Sequence, residues 1–204
     1  MPDQERFVVD PKASRFSVKA FASGMTAGLG HNPTIAIRDF DGEARFVPDT
    51  LDAASLTMRI RAASLAVEDE MNKEDRRALE RIMNDQVLST SRHPEVLYKT
   101  EGARALKLGE GLYRVELIGK LTLNGVTRTQ NVTTQVTIGP YSLRATGNFE
   151  IRQSDFGIAP ANVAGGLLTL RDELKFAFFI VARSDEPAGD SHSRQTLGTT
   201  SGAR

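Results

Sequence analysis

Three histidines, His31, His93 and His192, are the only imidazoles in the chain. Histidine metal sites usually present two ligands at close spacing, as in His-x-x-x-His, and these three stand far apart, so no histidine-metal site is expected. Cysteine is absent, which removes thiolate nucleophiles, thiolate ligands and disulfides. No G-x-S-x-G elbow accompanies the abundant Ser and Asp, so a hydrolytic Ser-His-Asp arrangement has no sequence support. His31 follows Gly28-Leu29-Gly30 and precedes Asn32-Pro33, a constrained stretch at a mouth or corner of a sheet. It could touch a ligand head group, act as a titrating latch, or simply bond a neighbouring loop. His93, before Pro94 at a helix-to-strand junction, reads as a partner of the helix C-terminus, and His192 lies in a polar tail. Arg152 and Asp155 flank a turn that leads into Phe156-Gly157. They would either pair to close one end of a barrel or offer a charge to a ligand.

The elements that must position these residues are mostly strands. In Leu112 to Ile138, Tyr113, Val115, Leu117, Gly119 and Leu121 share one face, and Asn124-Gly125 supplies the positive φ angles of a tight hairpin turn. Leu56, Met58 and Ile60 alternate with Thr57, Arg59 and Arg61 in the same way, and Phe16, Val18 and Ala20 mark a strand over Arg15 to Phe21. Ile35 to Phe46 alternates with a disturbance near Asp41-Gly42, which is either a hairpin turn or a bend in one long strand. Val96 to Thr100 returns to strand after Pro94. Leu143, Ala145, Gly147, Phe149 and Ile151 share a face, and Leu174 to Ala182, apolar on nearly both faces, belongs in a central or closing position. Between Glu68 and Leu88 the period changes to three and four, with Ala78, Leu79, Ile82 and Met83 on one side; this is the one helix, starting near Asn72 with Glu74 and Asp75 in its first turn. Its mixed charges read as a solvated face. About eight strands and one helix result.

The 204 residues, 40% hydrophobic, suffice for one domain with a substantial core. Lys plus Arg and Asp plus Glu number 26 each, so there is no net field to hold a polyanion, and nucleic acid is not an expected partner. No apolar run approaches the ~20 residues that span a bilayer. The N-terminus MPDQERFVVD lacks the basic patch and apolar run of a secretory signal, so the expected compartment is the cytoplasm, or the periplasm if a leader was removed. Residues 184–204, rich in Ser, Thr, Gly and Arg, read as a disordered tail after a domain spanning 1–183. Asn131-Val132-Thr133 forms a glycosylation sequon that reads as chance without such a signal.

Taken in order, several motifs resemble the YceI-like family, a lipocalin-like group of polyisoprenoid-binding and lipid-binding barrels. RFVVDPKASRFSVKAF is similar to its opening pattern, and Ala62-Ala63-Ser64-Leu65 to its next landmark. VLSTSRHPEVLYKT resembles its helix end and Pro-initiated strand, with His93-Pro94 where Tyr-Pro is common. GKLTLNGVTRTQNV resembles its hairpin, IRQSDFGI its "Arg, Asp-Phe-Gly-Ile" segment, and LRDELKFAFFIVA its last strand. The resemblance runs from about Arg6 to about Ala182. It departs at Val87-Leu88, where the family often has a Phe-rich helix end.

The resemblance implies an all-β fold with one main helix: an antiparallel lipocalin-like barrel of about eight strands enclosing an elongated apolar cavity. The alternation places Phe16, Val18, Leu56, Met58, Ile60, Val115, Leu117, Leu121, Phe149, Ile151, Phe176 and Phe178 on inward faces, either as cavity wall or as an ordinary filled core. His31 and Arg152 are the candidates for fixing a head group at the mouth, while Met58, Met71 and Met83 are adaptable enough to fit an irregular chain. The implied partner is an isoprenoid or acyl lipid, held without catalysis and without a cofactor, and a homodimer is compatible with this reading. The alternatives are a filled barrel acting as a stress-related scaffold, and a small-molecule enzyme using His31.

Overall fold

A computed structural model of the chain describes residues 4–23, 32–47, 50–159, 162–163 and 168–184. Its elements are β1 (Glu5–Val9), β2 (Arg15–Ser23), β3 (Thr34–Ile37), β4 (Phe40–Val47), β5 (Thr50–Arg61), β6 (Leu65–Val67), α1 (Lys73–Ile82), β7 (Glu95–Gly109), β8 (Leu112–Leu123), β9 (Val126–Thr129), β10 (Val132–Gly139), β11 (Ser142–Arg152), β12 (Asn162–Val163) and β13 (Leu168–Arg183). All pairings are antiparallel, and β1 pairs with both β4 and β13, which closes the sheet on itself. The segments assemble into eight staves. β1 and β2 lie end to end along β13, β3 and β4 form the next stave, and β5 and β6 the third. β7, β8, β9 with β10, β11 and β13 complete an up-and-down barrel. Closing a sheet in this way is how antiparallel barrels limit exposed strand edges.

The breaks in the staves are built from specific side chains. Between β1 and β2, the Asp10 carboxylate accepts from the Lys12 and Ala13 N–H groups, and the Ser14 hydroxyl oxygen accepts from Val181 N–H at 2.9 Å. Ser14 thus replaces a ladder bond where the strand bends, which gives the Asp-Pro…Ser opening of the sequence a physical role. The disturbance near Asp41-Gly42 is not a turn. The interruption falls at Arg38-Asp39 instead, opposite the single helical turn Ala62–Ser64, with Arg61 N–H donating to the Asp39 carbonyl and Asp39 N–H to the Ser64 hydroxyl. Gly42 stays in the ladder opposite Met58. The strand after Pro94 continues far beyond Thr100, to Gly109; its register shifts and the exposed Leu106 and Leu108 hide this length by erasing its alternation.

The central hairpin turns at Asn124 and Gly125, with φ of 51° and 74°. The helix begins where its charges place it: the Asn72 side chain accepts from Asp75 N–H at 2.8 Å, and Glu74 and Asp75 occupy the first turn. α1 then widens into a single π turn, Met83–Val87, in which Leu88 N–H reaches back to the Met83 carbonyl. Among the described residues no helix is long and apolar enough to cross a membrane. His31, His192 and the polar tail beyond Ser184 lie outside the described residues.

Candidate functional site

The inward faces of the staves surround an apolar cavity of about 260 Å³. Its wall is made by alternation: Phe16 and Val18 from β2, Leu56, Met58 and Ile60 from β5, and Val115, Leu117 and Leu121 from β8. Phe149 from β11 and Phe176 and Phe178 from β13 complete the far side. The rings form one connected group. Phe149 stacks on Phe176 with centroids 4.7 Å apart, and Phe16 meets Phe176 and Phe178 edge-on at 6.2 and 6.1 Å. These four rings are only partly buried although they point inward, because the space they border is empty of protein.

One end of the barrel is solid. Phe7 is fully buried and stacks on Phe46 at 5.3 Å, and Tyr113, Val136, Leu143 and Ala182 pack around them as a floor. The other end is covered by α1 and the turns beside it. Leu79, Ile82, Met83, Val87 and Leu88 face the cavity, the π turn bringing the last two back over it. No residue of α1 is itself buried, and polar ties help hold it to the barrel. Glu80 accepts from Val67 N–H at 3.0 Å, Asp69 accepts from Thr34 N–H at 2.8 Å, and Arg76 donates to the Asp69 carbonyl. Beside the helix, Phe156, Ile158, Leu123 and Ile151 form a second apolar cluster that seals this end.

Three residues singled out by the sequence, Met71, Ile151 and Arg152, lie apart from the cavity. Ile151 points inward, but its stave ends beneath Phe156, so it belongs to the seal. Arg152 is on the outer surface, 3.9 Å from Glu173, and does not pair with Asp155, whose carbonyl accepts from Arg128 instead. His31 is outside the described residues. His93 is not a helix cap by its side chain: its ring lies against the Asn124-Gly125 turn, where a Cβ on Gly125 would come within 2.7 Å of Cε1. Sequence reasoning missed Tyr98, Thr134 and Gln153, polar residues that line the cavity but alternate no differently from their neighbours.

Each of these three polar groups is turned into the wall. The Tyr98 hydroxyl donates to the Gln130 carbonyl at 3.1 Å, Thr134 donates to the Thr146 carbonyl at 2.9 Å, and Gln153 donates to the Arg171 carbonyl at 2.9 Å. Burial pushes the Tyr98 phenol up to about 12, so it stays neutral. No Asp, Glu, Lys, Arg or His lines the cavity among the described residues. Ion pairs run across the outside instead, as between Lys175 and Glu150, Lys120 and Glu101, or Arg6, Glu43 and Arg45. Among the described residues no three His, Asp or Glu side chains gather as a metal site would require. An apolar cavity of this kind binds by removing apolar surface from water: an engineered apolar cavity of ~150 Å³ admits benzene, and small-molecule sites begin near ~300 Å³.

The sequence matches the YceI-like domain over residues 7–182. Among solved structures, the fold is similar to that of BcnA from Burkholderia cenocepacia, with a TM-score of 0.65 and 19% identity over 85% of this chain and 98% of that one. It is also similar to a polyisoprenoid binding domain from Saccharophagus degradans implicated in plant cell wall breakdown, with a TM-score of 0.61 and 10% identity over 87% of this chain and 98% of that one. A Campylobacter jejuni YceI protein aligns with a TM-score of 0.58 and 16% identity over 77% and 88% of the two chains. No curated protein matches the sequence. The chain belongs to the YceI-like family.

Proposed function

We propose that this member of the YceI-like family is a non-enzymatic carrier that holds the tail of an amphipathic lipid, a polyisoprenoid or a fatty-acid derivative, in its barrel. The observation that carries the reading is the cavity of about 260 Å³, whose lining includes no charged side chain among the described residues. Burial of a hydrocarbon tail there supplies ~0.8 kcal/mol per methylene, and the absence of lining charges means no ion is stripped of water on entry. The charged or polar head of such a lipid stays at a mouth, outside the apolar space. The polyisoprenoid-binding description of the Saccharophagus degradans neighbour supports the same class of ligand. A cavity of this size counts against a filled barrel acting only as a scaffold.

The test is a charged residue inside the wall. Phe178→Asp or Leu117→Asp, purified beside the parent chain, should lose retention of geranylgeraniol and of oleate while keeping the circular dichroism of the barrel. Equal retention by a folded variant contradicts a lumen site.

A further inference from the structure

Three glycines, Gly42 on β4, Gly119 on β8 and Gly147 on β11, stand at inward positions of the wall. Each has a large side chain of a neighbouring stave laid against it. The Met58 sulfur occupies the place a Cβ on Gly42 would take. The tip of the Phe178 ring lies 2.6 Å from the place of a Gly147 Cβ, and Cζ and the hydroxyl of Tyr98 lie 2.8 Å from that of Gly119. A real Cβ keeps such atoms well beyond 3.0 Å, so each glycine is the seat into which its neighbour folds. Met58 and Phe178 line the cavity, and so does Tyr98, whose hydroxyl reaches the Gln130 carbonyl from this seat.

We propose, resting on the carrier reading, that these glycines are the specificity-determining residues of the lumen: they fix its bore by letting Met58, Tyr98 and Phe178 lie along the wall. A methyl group at any of them presses the seated side chain toward the space a ligand tail would fill, and at Gly119 it also meets the Lys99 backbone carbonyl at 2.7 Å. Bore selects tail, because a chain that cannot thread past a displaced ring leaves its remaining carbons in water. The glycine at 119 has a second effect, since moving Tyr98 away from Gln130 would bring a hydroxyl into the apolar space.

Gly42→Ala is the cleanest variant, because its nearest obstacle is the flexible end of Met58 and the nearest backbone atom is 3.0 Å away. Gly147→Ala also meets the Thr133 carbonyl at 2.8 Å and costs more stability. Native mass spectrometry of the whole chain with geraniol, farnesol and geranylgeraniol reads the longest tail retained. Gly42→Ala should lower retention of the longest prenol about tenfold, the worth of roughly two buried methylenes, while leaving geraniol unchanged. The double variant Gly42→Ala/Met58→Ala should restore it. Xenon-pressurised crystals of the parent and of Gly42→Ala read the bore without any lipid, with occupancy falling in the variant. A folded Gly42→Ala chain with unchanged prenol cutoff and unchanged xenon occupancy overturns the proposal. If the parent retains neither prenol nor oleate, the carrier reading fails, and the xenon comparison alone decides whether the glycines set the bore.

Discussion

The two halves of the barrel are built from the same residue types and differ in what those residues touch. At the floor, Phe7 and Phe46 stack face to face with no solvent access to Phe7, and Phe46, Val136 and Leu143 form the surface on which the cavity ends. In the half below the helix, Phe16, Phe149, Phe176 and Phe178 make equally good ring contacts on one side and border empty volume on the other. Phenylalanine content therefore does not separate core from cavity wall. What separates them is the cover: strand neighbours close the floor, whereas the hollow half is capped by a helix that has no buried residue of its own. The floor supplies stability, and the hollow half is where the proposed lipid tail would lie.

The largest effect should come from the floor. Phe7→Ala should cost about 3 to 5 kcal/mol in urea unfolding, the range for a fully buried ring. Phe178→Ala, whose ring already borders a void, should cost less than half of that and enlarge the lumen; equal losses would break the distinction between the halves. Next, Tyr98→Phe removes the hydroxyl bonded to Gln130 and should cost about 1 kcal/mol at neutral pH. Because the folded phenol titrates at about 12 and the unfolded one near 10, the parent should be most stable below pH 10 and lose that contribution between 10 and 12. The phenylalanine variant should lack that limb in pH-dependent unfolding. Smaller still, Glu80→Ala frees Val67 N–H and loosens the helix, so amides of α1 should exchange faster while those of β8 stay protected. The smallest effect belongs to Asp172, whose carboxylate is held below its ordinary value of 3.8 by donation from the Ser154 hydroxyl and N–H. Its contribution is present above pH 3.8 and lost as pH falls through the lowered value, so Asp172→Asn should shallow the acid unfolding limb slightly.

Much of this was legible in the chain itself, and the parts that were not have physical reasons. Strict alternation in β5 and β8 exposed both the strands and their inward residues, and Asn72 with Glu74 and Asp75 fixed the helix start. Asp41-Gly42 left a turn and a bend both open because glycine serves two ends: the dipeptide stays within its strand and provides room for the Met58 sulfur. Ile151 shares the inward face of Phe149, and only its depth relative to Phe156 assigns it to the seal. Arg152 could not be placed because a charge next to a turn is equally compatible with a mouth and an outer surface. Hollowness itself is invisible in alternation, since a cavity wall and a filled core demand the same residues at the same period.

The most direct test of the hollow half as a lipid compartment is native mass spectrometry of the freshly purified chain, followed by organic extraction of whatever it releases. The account predicts a discrete added mass that extracts as an isoprenoid or acyl lipid, or that appears on incubation with geranylgeraniol or oleate and disappears in Phe178→Asp. A clean apo mass that persists through both incubations would contradict it.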